Sequence, residues 1–434
     1  MGSGVSGVVE SSPPLMSAVR AGDTALVKSL LLRDSDADMT DAAFCLAVGT
    51  YSGAMALLLL NYGADPSRCG PDELPPLREA VDSGSPALVE VLLDDRIRGR
   101  YSESELLEMK DLARRWHETG VETELRRLTG SRDALVRTRV QDDEYNNVDE
   151  YSLGGMTVRD GHAAILTRLE ELFGSRSSFE ELMARAVSHD KDHAAWGNIT
   201  ILLANRRDQE TWTAAAALRT HPEPSHRSFG VEVLRLTHLF DDSDEDAFAG
   251  PALDLFTDWS TGEEDLAVLT EVLVAIGEHA NPRAGAALVP YAGHSDAGVR
   301  CAVARGCGVW HETPLAFPGD VREALMVLMT DADPVVRRAA CLTVADGKDR
   351  DPVLADAMAA LLGDPDRRVQ VTAVYGLALH EDERCVEGGS PPAPGAARHP
   401  ARVRTRRGVE IHVAPRQPLT PPPARWGGPS PAPT

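Results

Sequence analysis

The chain has 434 residues, of which 67 are acidic and 44 basic, so its formal net charge is −23. Hydrophobic residues make up 43% of the chain, which predicts folded domains, because disorder combines high charge with low hydrophobicity. The longest apolar run, near Ala54–Leu60, is far shorter than the roughly 18–20 residues of a membrane-spanning helix. The negative charge argues against nucleic acid as the main partner, since phosphate groups are bound by clustered Lys and Arg.

The six cysteines are scattered along the chain, at Cys45, Cys69, Cys301, Cys307, Cys341 and Cys385. They form no Cys-x-x-Cys pair, so the sequence predicts neither a zinc ribbon nor a redox motif. Residues 1–12 contain neither the basic nor the apolar segment of a secretory signal, and we expect them to be flexible. These features predict a cytoplasmic protein. Only four basic residues are Lys, and Ala and Gly are abundant, which suggests a high-GC bacterial genome.

Residues 13–99 contain three similar segments. Each segment predicts a short helix, a glycine-containing turn and a second helix that ends in a pair of leucines. Small residues align at Ala18, Ala47 and Ala80, and the predicted turn glycines are Gly22, Gly53 and Gly84. A small side chain at each aligned position would let neighbouring helical hairpins stack closely.

This region resembles the ankyrin repeat. The TPLHxA signature of that family survives as Pro14-Leu15 with Ala18, and as Pro76-Leu77 with Ala80. The resemblance implies an α-solenoid in which three repeats are the minimum for stability. Residues 100–130 predict a further pair of amphipathic helices that caps the array, with Ser102 or Ser104 as the N-cap.

The helical pattern breaks at residues 131–160. Polar and β-branched residues alternate there, and turn signals occur at Asn146-Asn147 and Gly154-Gly155. We expect a small β-hairpin or three short strands. This β-rich connector either joins two helical arrays or carries the interaction surface itself.

Helical periodicity returns at residues 161–385. Its clearest segments begin with Asp333-Pro334 and Asp364-Pro365, where Asp predicts an N-cap and Pro the first helical position. The same pairing recurs at Ser85-Pro86, Asn281-Pro282 and Asp351-Pro352. The segments resemble the HEAT repeat, of the kind found in phycobilisome-lyase-like proteins. We expect about six helix pairs, with first helices near 178–189, 209–220, 247–258, 282–292, 318–330 and 352–362.

Apolar positions in the second helices of these pairs define a register. They fall at Trp196, Phe229, Leu266, Val299, Val336 and Val369, with alternating spacings of 33 and 37 residues. An Asp-x-x-Val-Arg pattern makes Arg300 and Arg337 candidate ligand-binding residues. The HEAT resemblance implies the interpretation that we favour, a buried ladder of Asp and Arg side chains between successive turns.

Residues 386–434 differ in composition from the rest of the chain. They contain seven Arg, no Lys, two acidic residues and 12 of the 29 Pro, so residues 1–385 carry a charge of −28. Because proline interrupts every candidate helix, we expect a disordered tail. The tail is a basic segment that folds back on the acidic array, a proline-rich ligand of another domain, or an out-of-frame or unselected extension.

Several short motifs match functional sites only in part. Gly2, Gly4 and Gly7 fit a dinucleotide-binding pattern without its strand and helix, and the acidic run Asp242–Asp246 lacks the glycine of a calcium loop. His189 and His193 have the spacing of a zinc pair, but we favour a turn between helices. The sequence therefore predicts no catalytic residue, no metal site and no cofactor.

Taken together, the two regions resemble actinobacterial proteins that join ankyrin-like to HEAT-like repeats, and both repeat families imply protein binding. We expect a non-enzymatic scaffold that binds a protein partner. The negative charge of the chain favours a basic partner, and we expect binding to neither nucleic acid nor membrane. The first array offers exposed positions at Met16, Arg20, Tyr51, Arg78 and Asp82. The alternatives are a HEAT-repeat lyase-like enzyme or accessory subunit and, disfavoured by charge, a nucleic-acid-binding protein.

Overall fold

The computed structural model of the protein describes residues 14–33, 36–70, 74–239, 247–279, 281–308, 316–347 and 349–386. It also gives the backbone of two short strands in the tail, which pair antiparallel over Ala401–Arg404 and Glu410–Val413. The prediction of a disordered tail did not include this pair. The rest of the tail, the predicted flexible N-terminus with its glycine motif, and the acidic run Asp242–Asp246 lie outside the described residues.

The described chain is mostly helical and has one three-stranded antiparallel sheet. It divides into two compact units, Met1–Leu203 and Ala204–Thr434. No helix in the described ranges is both long and apolar enough to cross a membrane.

The helices that begin in the first unit are α1 (Pro14–Arg20), α2 (Thr24–Leu31), α3 (Ala37–Gly49), α4 (Gly53–Asn61), α5 (Leu77–Ser83), α6 (Pro86–Leu92), α7 (Asp95–Arg98), α8 (Glu103–Thr119), α9 (Val121–Thr129), α10 (His162–Leu172), α11 (Phe179–Val187) and α12 (Ala194–Arg206). Since α10 and α11 belong to this unit, the division at Leu203 does not coincide with the predicted boundary at residue 160.

The first six helices form three successive helical hairpins. Helix α3 packs against α1, and α4 packs against both α2 and α6. The aligned residues Ala18, Ala47 and Ala80 are at most 2% exposed, which confirms that small side chains are buried at these positions.

The prediction that Gly53 forms the turn of the second hairpin is wrong. Gly22 and Gly84 have left-handed backbone conformations, with φ of 67° and 71°, and the corresponding residue of the second hairpin is Tyr51, with φ of 57°. Gly53 is instead the first residue of α4. A Cβ atom added to Gly53 would lie 2.8 Å from the amide nitrogen of Leu88, so this glycine lets α4 approach α6 closely.

The predicted capping helices are α8 and α9. Ser102, and not Ser104, is the N-cap of α8: its hydroxyl accepts the Glu105 amide while the Glu105 carboxylate accepts the Ser102 amide. This reciprocal pair is a capping box, which stabilises the start of the helix. Helix α8 then packs against α5 and α10.

The connector forms three short strands, the second of the two arrangements expected for it. They are β1 (Val136–Gln141), β2 (Asn147–Leu153) and β3 (Met156–Arg159), in the antiparallel order β1-β2-β3. Gly154 and Gly155 make the turn between β2 and β3 with positive φ. Leu153 and Val158 are buried in the same apolar core as the helical hairpins, so the sheet is an integral part of the first unit.

The helices of the second unit are α13 (Gln209–Ala217), α14 (Pro224–Leu239), α15 (Ala249–Gly262), α16 (Leu266–Gly277), α17 (Pro282–Leu288), α18 (Ala297–Gly306), α19 (Gly319–Leu328), α20 (Pro334–Asp346), α21 (Pro352–Ala360) and α22 (Arg367–Leu379). The odd-numbered helices match the predicted first helices of each pair. The even-numbered helices pack in series, α14 on α16, α16 on α18, α18 on α20 and α20 on α22.

Two details of the predicted register are wrong. Leu266 is 47% exposed, and the buried position is Val268, which stands three residues after the N-cap Asp265 as Val299 stands after Asp296. Helix α22 is capped by Asp366 and not by Asp364. The predicted N-caps Ser85, Asn281, Asp333 and Asp351 are confirmed, each followed by a proline in the first turn.

Cys45 and Cys69 form a disulfide, with their Cα atoms 5.5 Å apart. No sequence pattern pairs them, since a separation of 24 residues matches no cysteine motif. Disulfides are rare in reducing compartments, so this bond weighs against the predicted cytoplasmic location.

Candidate functional site

The five residues predicted to contact a partner lie on or beside α1, α3 and α5. Met16 and Arg20 belong to α1, where Met16 is partly buried against the core and Arg20 is exposed. Tyr51 follows α3 and is 42% exposed. Arg78 and Asp82 lie one helical turn apart on α5, with Arg78 Nε 3.9 Å from Asp82 Oδ2.

Two of the predicted contact residues, Tyr51 and Asp82, form hydrogen bonds with residues that were not predicted. The Tyr51 hydroxyl donates to Glu79 Oε2 at 2.5 Å, and this hydrogen bond raises the pKa of Tyr51. Asp82 Oδ1 accepts the indole N–H of Trp116 at 2.8 Å, so this carboxylate also fastens α8 to α5. Sequence reasoning missed Glu79 and Trp116, because no local pattern relates them to residues 28 and 34 positions away.

A second cluster brings His189 and His193 together with Asp160, which sequence reasoning did not include. Their possible ligand atoms lie within 4.8 Å of one another. His193 Nε2 is 2.8 Å from Asp160 Oδ1, and His189 Nδ1 is 3.9 Å from Asp160 Oδ2. The two imidazole rings stack, with centroids 3.8 Å apart and planes 6° apart.

Hydrogen bonds occupy both ring nitrogens of His193 and one carboxylate oxygen of Asp160. His193 Nδ1 accepts the Ala195 amide, so in the neutral ring the proton is on Nε2 and is donated to Asp160. Asp160 Oδ1 also accepts the Asp149 amide. A metal ion lies near the plane of each imidazole that binds it, and two parallel stacked planes share no such point. We therefore interpret the cluster as a polar latch between the sheet and the α11–α12 turn.

Burial and neighbouring charge set the protonation of this latch. Burial, with a smaller contribution from His193, lowers the pKa of His189 to about 4, so the ring is neutral at pH 7. Burial, the largest single cause, would raise the pKa of Asp160, but the smaller lowering contributions of His193, the Asp149 amide and His189 together outweigh it, so the net shift is downward. The latch is therefore an ionised carboxylate that accepts a hydrogen bond from His193 and lies beside the neutral ring of His189.

Asp142 fastens the connector to the third helical hairpin. Its side chain is fully buried and accepts the Ser85 hydroxyl at 2.6 Å and the Ala87 amide at 2.8 Å, at the start of α6. Burial raises the pKa of Asp142 to about 6. Because the Asp142 carboxylate is buried in these contacts, we interpret this end of the connector as structural.

Arg300 and Arg337 form the predicted ladder. The Arg337 guanidinium donates to both carboxylate oxygens of Asp364, at 2.7 and 2.8 Å, and to the backbone oxygens of Asp331 and Ala332. Arg300 makes the same set of bonds, to Asp331 and to the carbonyls of His294 and Ser295. The arginine bonds lower the pKa of both carboxyls.

A third copy of this contact occurs at a position that no sequence pattern marks. Arg227 donates to both oxygens of Glu263 and to the carbonyls of His221 and Pro222. Each carboxylate of the ladder also accepts the amide of the residue two positions on, which is the N-cap of the next even-numbered helix. Neither the Asp-x-x-Val-Arg pattern nor the predicted register includes Arg227.

The free cysteines offer no reactive thiolate in the described chain. Cys301, Cys307, Cys341 and Cys385 are all buried. Burial raises the pKa of each thiol, to about 12 for Cys307 and Cys341. A thiol is nucleophilic only as the thiolate, so these side chains are unreactive at neutral pH.

Two solved structures align with parts of the chain. The YibA protein of Escherichia coli aligns over 49% of this chain and 74% of its own, at 16% identity and a TM-score of 0.39. An engineered protein aligns over 85% of this chain and 99% of its own, at 14% identity and a TM-score of 0.34. No protein-family model and no curated protein matches the sequence.

Proposed function

We propose that this protein is a non-enzymatic scaffold that binds other proteins through two arrays of helical repeats. The observation that carries the proposal is the ladder of the second unit. Arg227, Arg300 and Arg337 each join two carbonyls of their own turn to a carboxylate of a later turn. Repeating units are expected to produce equivalent contacts of this kind, which supports HEAT-like repeats in this region.

The first unit supports the ankyrin-like part of the proposal. Its three hairpins bury the aligned alanines, and two of their three turns have a glycine with positive φ. Helices α8 and α9 follow as the capping pair. In such an array each repeat contacts only its neighbours, which leaves the exposed positions of successive helices available for a partner.

The contact residues that we propose on the first unit are those predicted from the sequence. Tyr51 and Arg78 are the best candidates, because both are exposed and the hydroxyl of Tyr51 already orients it beside α5. Arg20 is exposed as well, whereas Met16 and Asp82 also serve the packing of their helices. The charge of −23 favours a basic partner for the chain as a whole.

The alternatives find less support. A lyase-like activity needs a nucleophile or general acid in an accessible groove, and the four free thiols of the described chain are buried with raised pKa values. Nucleic-acid binding needs a basic groove, and the net charge opposes it. The cytoplasmic location also stays a proposal, against which the Cys45–Cys69 disulfide weighs.

The proposal is tested by affinity capture with the full chain, followed by quantitative mass spectrometry. We expect a protein that is retained by the unchanged chain and lost with the double variant Tyr51→Gly/Arg78→Ala, in which glycine keeps the left-handed turn. The control is Arg132→Ala, an exposed arginine elsewhere in the first unit. Capture of nothing above an unrelated bait would refute the scaffold, and equal capture by the double variant would refute this choice of residues.

A further inference from the structure

Arginines collect on three helices of the second unit. Helices α18, α20 and α22 contain six arginines and a single acidic residue, Asp346, in a chain where acidic residues outnumber basic ones by 67 to 44. Two of the six, Arg300 and Arg337, belong to the ladder. The other four are exposed and, within the described residues, their side chains have no hydrogen bond or ion pair: Arg305, Arg338, Arg367 and Arg368.

Three arginines elsewhere in the second unit, two of them exposed and one half-buried, have acidic partners. Arg219 pairs with Asp258 at 3.2 Å, and Arg384 pairs with Asp356 at 2.7 Å. Arg283 likewise pairs with Asp254. Acidic partners are therefore available on the surface of this unit, but not to these four arginines of α18, α20 and α22.

The repeated N-caps show which of these side chains are neighbours. Counted from the caps Asp296, Asp333 and Asp366, the second residue of each helix is Gly298, Val335 or Arg368, and the fifth is Cys301, Arg338 or Val371. A Cβ atom added to Gly298 would lie 4.0 Å from the hydroxyl of Thr270, the fifth residue after the cap of α16. By the same register, Val335 lies beside Cys301, and Arg368 lies beside Arg338.

The electrostatics around Cys301 support this arrangement. Arg305, one turn further along α18, and Arg338 of α20 both act on the pKa of the Cys301 thiol, together with the cap residue Asp333. Arg305 and Arg338 therefore lie on the same side of the helix layer. Adjacent like charges that form no ion pair destabilise a helical surface, so folding alone gives no reason for this grouping.

Two exposed valines lie among the arginines. Val335 is 55% exposed and Val371 is 38% exposed. We call the surface formed by Arg305, Arg338, Arg367, Arg368, Val335 and Val371 the basic face. It combines positive charge with aliphatic area, which suits a ligand that carries both carboxylates and apolar side chains.

We infer that the basic face binds an acidic peptide segment of a partner protein, with the peptide carboxylates on the arginines and its apolar side chains over Val335 and Val371. This inference rests on the proposed scaffold function and makes it more specific. It differs from the expectation drawn from net charge, because the local charge of this surface is opposite to that of the chain. A peptide fits better than nucleic acid, since a long polyanion would be repelled by the rest of the protein.

The test uses the full chain and a short fluorescent peptide in which Glu alternates with Leu and Phe. Binding is measured by fluorescence anisotropy for the unchanged chain and for the double variant Arg338→Glu/Arg368→Glu. We expect the double variant to bind about tenfold more weakly or worse, because two attractive charges become repulsive. Added salt should weaken binding to the unchanged chain. A peptide with Lys in place of Glu should not bind at this face.

The matched control is Arg33→Glu/Arg132→Glu, which makes the same change of charge at two exposed arginines of the first unit. Its affinity should stay within about twofold of the unchanged chain, because only long-range, screened interactions change. Circular dichroism of both double variants checks that they are folded.

Three results would overturn the inference: no binding of the acidic peptide, equal binding by Arg338→Glu/Arg368→Glu and the control, or tighter binding of a single-stranded oligonucleotide through the same two arginines. The scaffold proposal fails separately. If affinity capture succeeds with Arg338→Glu/Arg368→Glu while the acidic peptide does not bind, the scaffold stands and the assignment to the basic face is wrong.

Discussion

The two units differ in the polar side-chain contacts that hold their turns in place. In the first unit each polar joint occurs once: Asp142 binds the start of α6, and Asp160 binds His193 across the α11–α12 turn. In the second unit one joint occurs three times, at Arg227, Arg300 and Arg337. A repeated joint allows one helix pair to follow another in the same geometry, whereas single joints fix one particular arrangement of hairpins and sheet.

This comparison predicts that the first unit depends on its individual close contacts. Gly84 has φ of 71°, and a Cβ atom added there would lie 1.9 Å from the carbonyl oxygen of Arg159. We expect Gly84→Ala to lower the free energy of unfolding by about 4 kcal/mol, from backbone strain and displacement of the connector. Urea denaturation measures the change.

Gly22 provides the matched control for Gly84. It has φ of 67°, but no atom lies within 4 Å of an added Cβ. Gly22→Ala should therefore cost only the strain of a left-handed alanine, about 1 kcal/mol. Equal costs at the two positions would show that the contact with the connector contributes nothing.

The two units also differ in their cysteines, because the first unit contains the disulfide and the second contains the four free thiols. A bond that closes 24 residues should stabilise the first unit by about 3 kcal/mol, which Cys69→Ala or a reducing agent would remove. Thiol titration of the denatured, unreduced protein should find the four cysteines of the second unit and not all six of the chain. Six titratable thiols would contradict the bond and favour a reducing compartment.

The ladder should cost more to break than an exposed ion pair of the same unit. Arg337 and Asp364 are 12% and 4% exposed, so Arg337→Met leaves a buried carboxylate without its partner and should cost about 3 kcal/mol. Arg283 and Asp254 are both more than 60% exposed, and Arg283→Met should cost less than about 0.5 kcal/mol. Thermal unfolding distinguishes these values, and similar losses would mean that the ladder is no more than a surface pair.

The smallest expected effect is a difference in pH dependence. Because the pKa of His189 is lowered to about 4, the unfolded chain binds more protons between pH 6.5 and 4, and this group's contribution falls as the pH falls through that range. His189→Gln should therefore destabilise the protein by about 1 kcal/mol at pH 7.5, through loss of the stacked ring, and by less at pH 4.5.

The ladder provides the comparison for this pH effect. The pKa of Asp364 is lowered below its ordinary value of 3.8, so its contribution is complete above that pH and is lost only in more acidic solution. In the unchanged chain Asp364 should accordingly add no pH dependence to the stability between pH 7.5 and pH 4.5. Chemical denaturation at the two pH values would contradict this account if His189→Gln cost the same at both.

Periodicity explains which of these features the sequence could predict. The aligned alanines, the presence of strands in the connector and most of the N-caps before proline follow from local patterns that recur or alternate. The ladder at Arg300 and Arg337 is what the resemblance to HEAT repeats implies. Tyr51 took a position that glycine occupies in the other two hairpins, so the pattern assigned the turn to Gly53 instead. The spacing alone selects Leu266, although the cap Asp265 places Val268 in the core.

The features that sequence reasoning missed depend on contacts between distant residues. Asp142 binds Ser85 across 57 positions, and Asp160 reaches His193 across 33. Neither residue has a neighbouring motif that marks it. Arg227 was missed because its carboxylate partner is Glu263 and its turn lacks the Asp-x-x-Val-Arg pattern. The basic face was hidden because net charge averages over the whole chain.

The most direct test of the repeated joint is a pair of double-mutant cycles, one at Arg300 and Asp331 and one at Arg337 and Asp364. Each cycle compares two single variants, to Met and to Ala, with the double variant and yields a coupling energy. If one contact is used repeatedly, both couplings should be about 2 kcal/mol and equal within about 0.5 kcal/mol. A coupling near zero in either cycle would contradict the claim that a single repeated contact fastens the second unit.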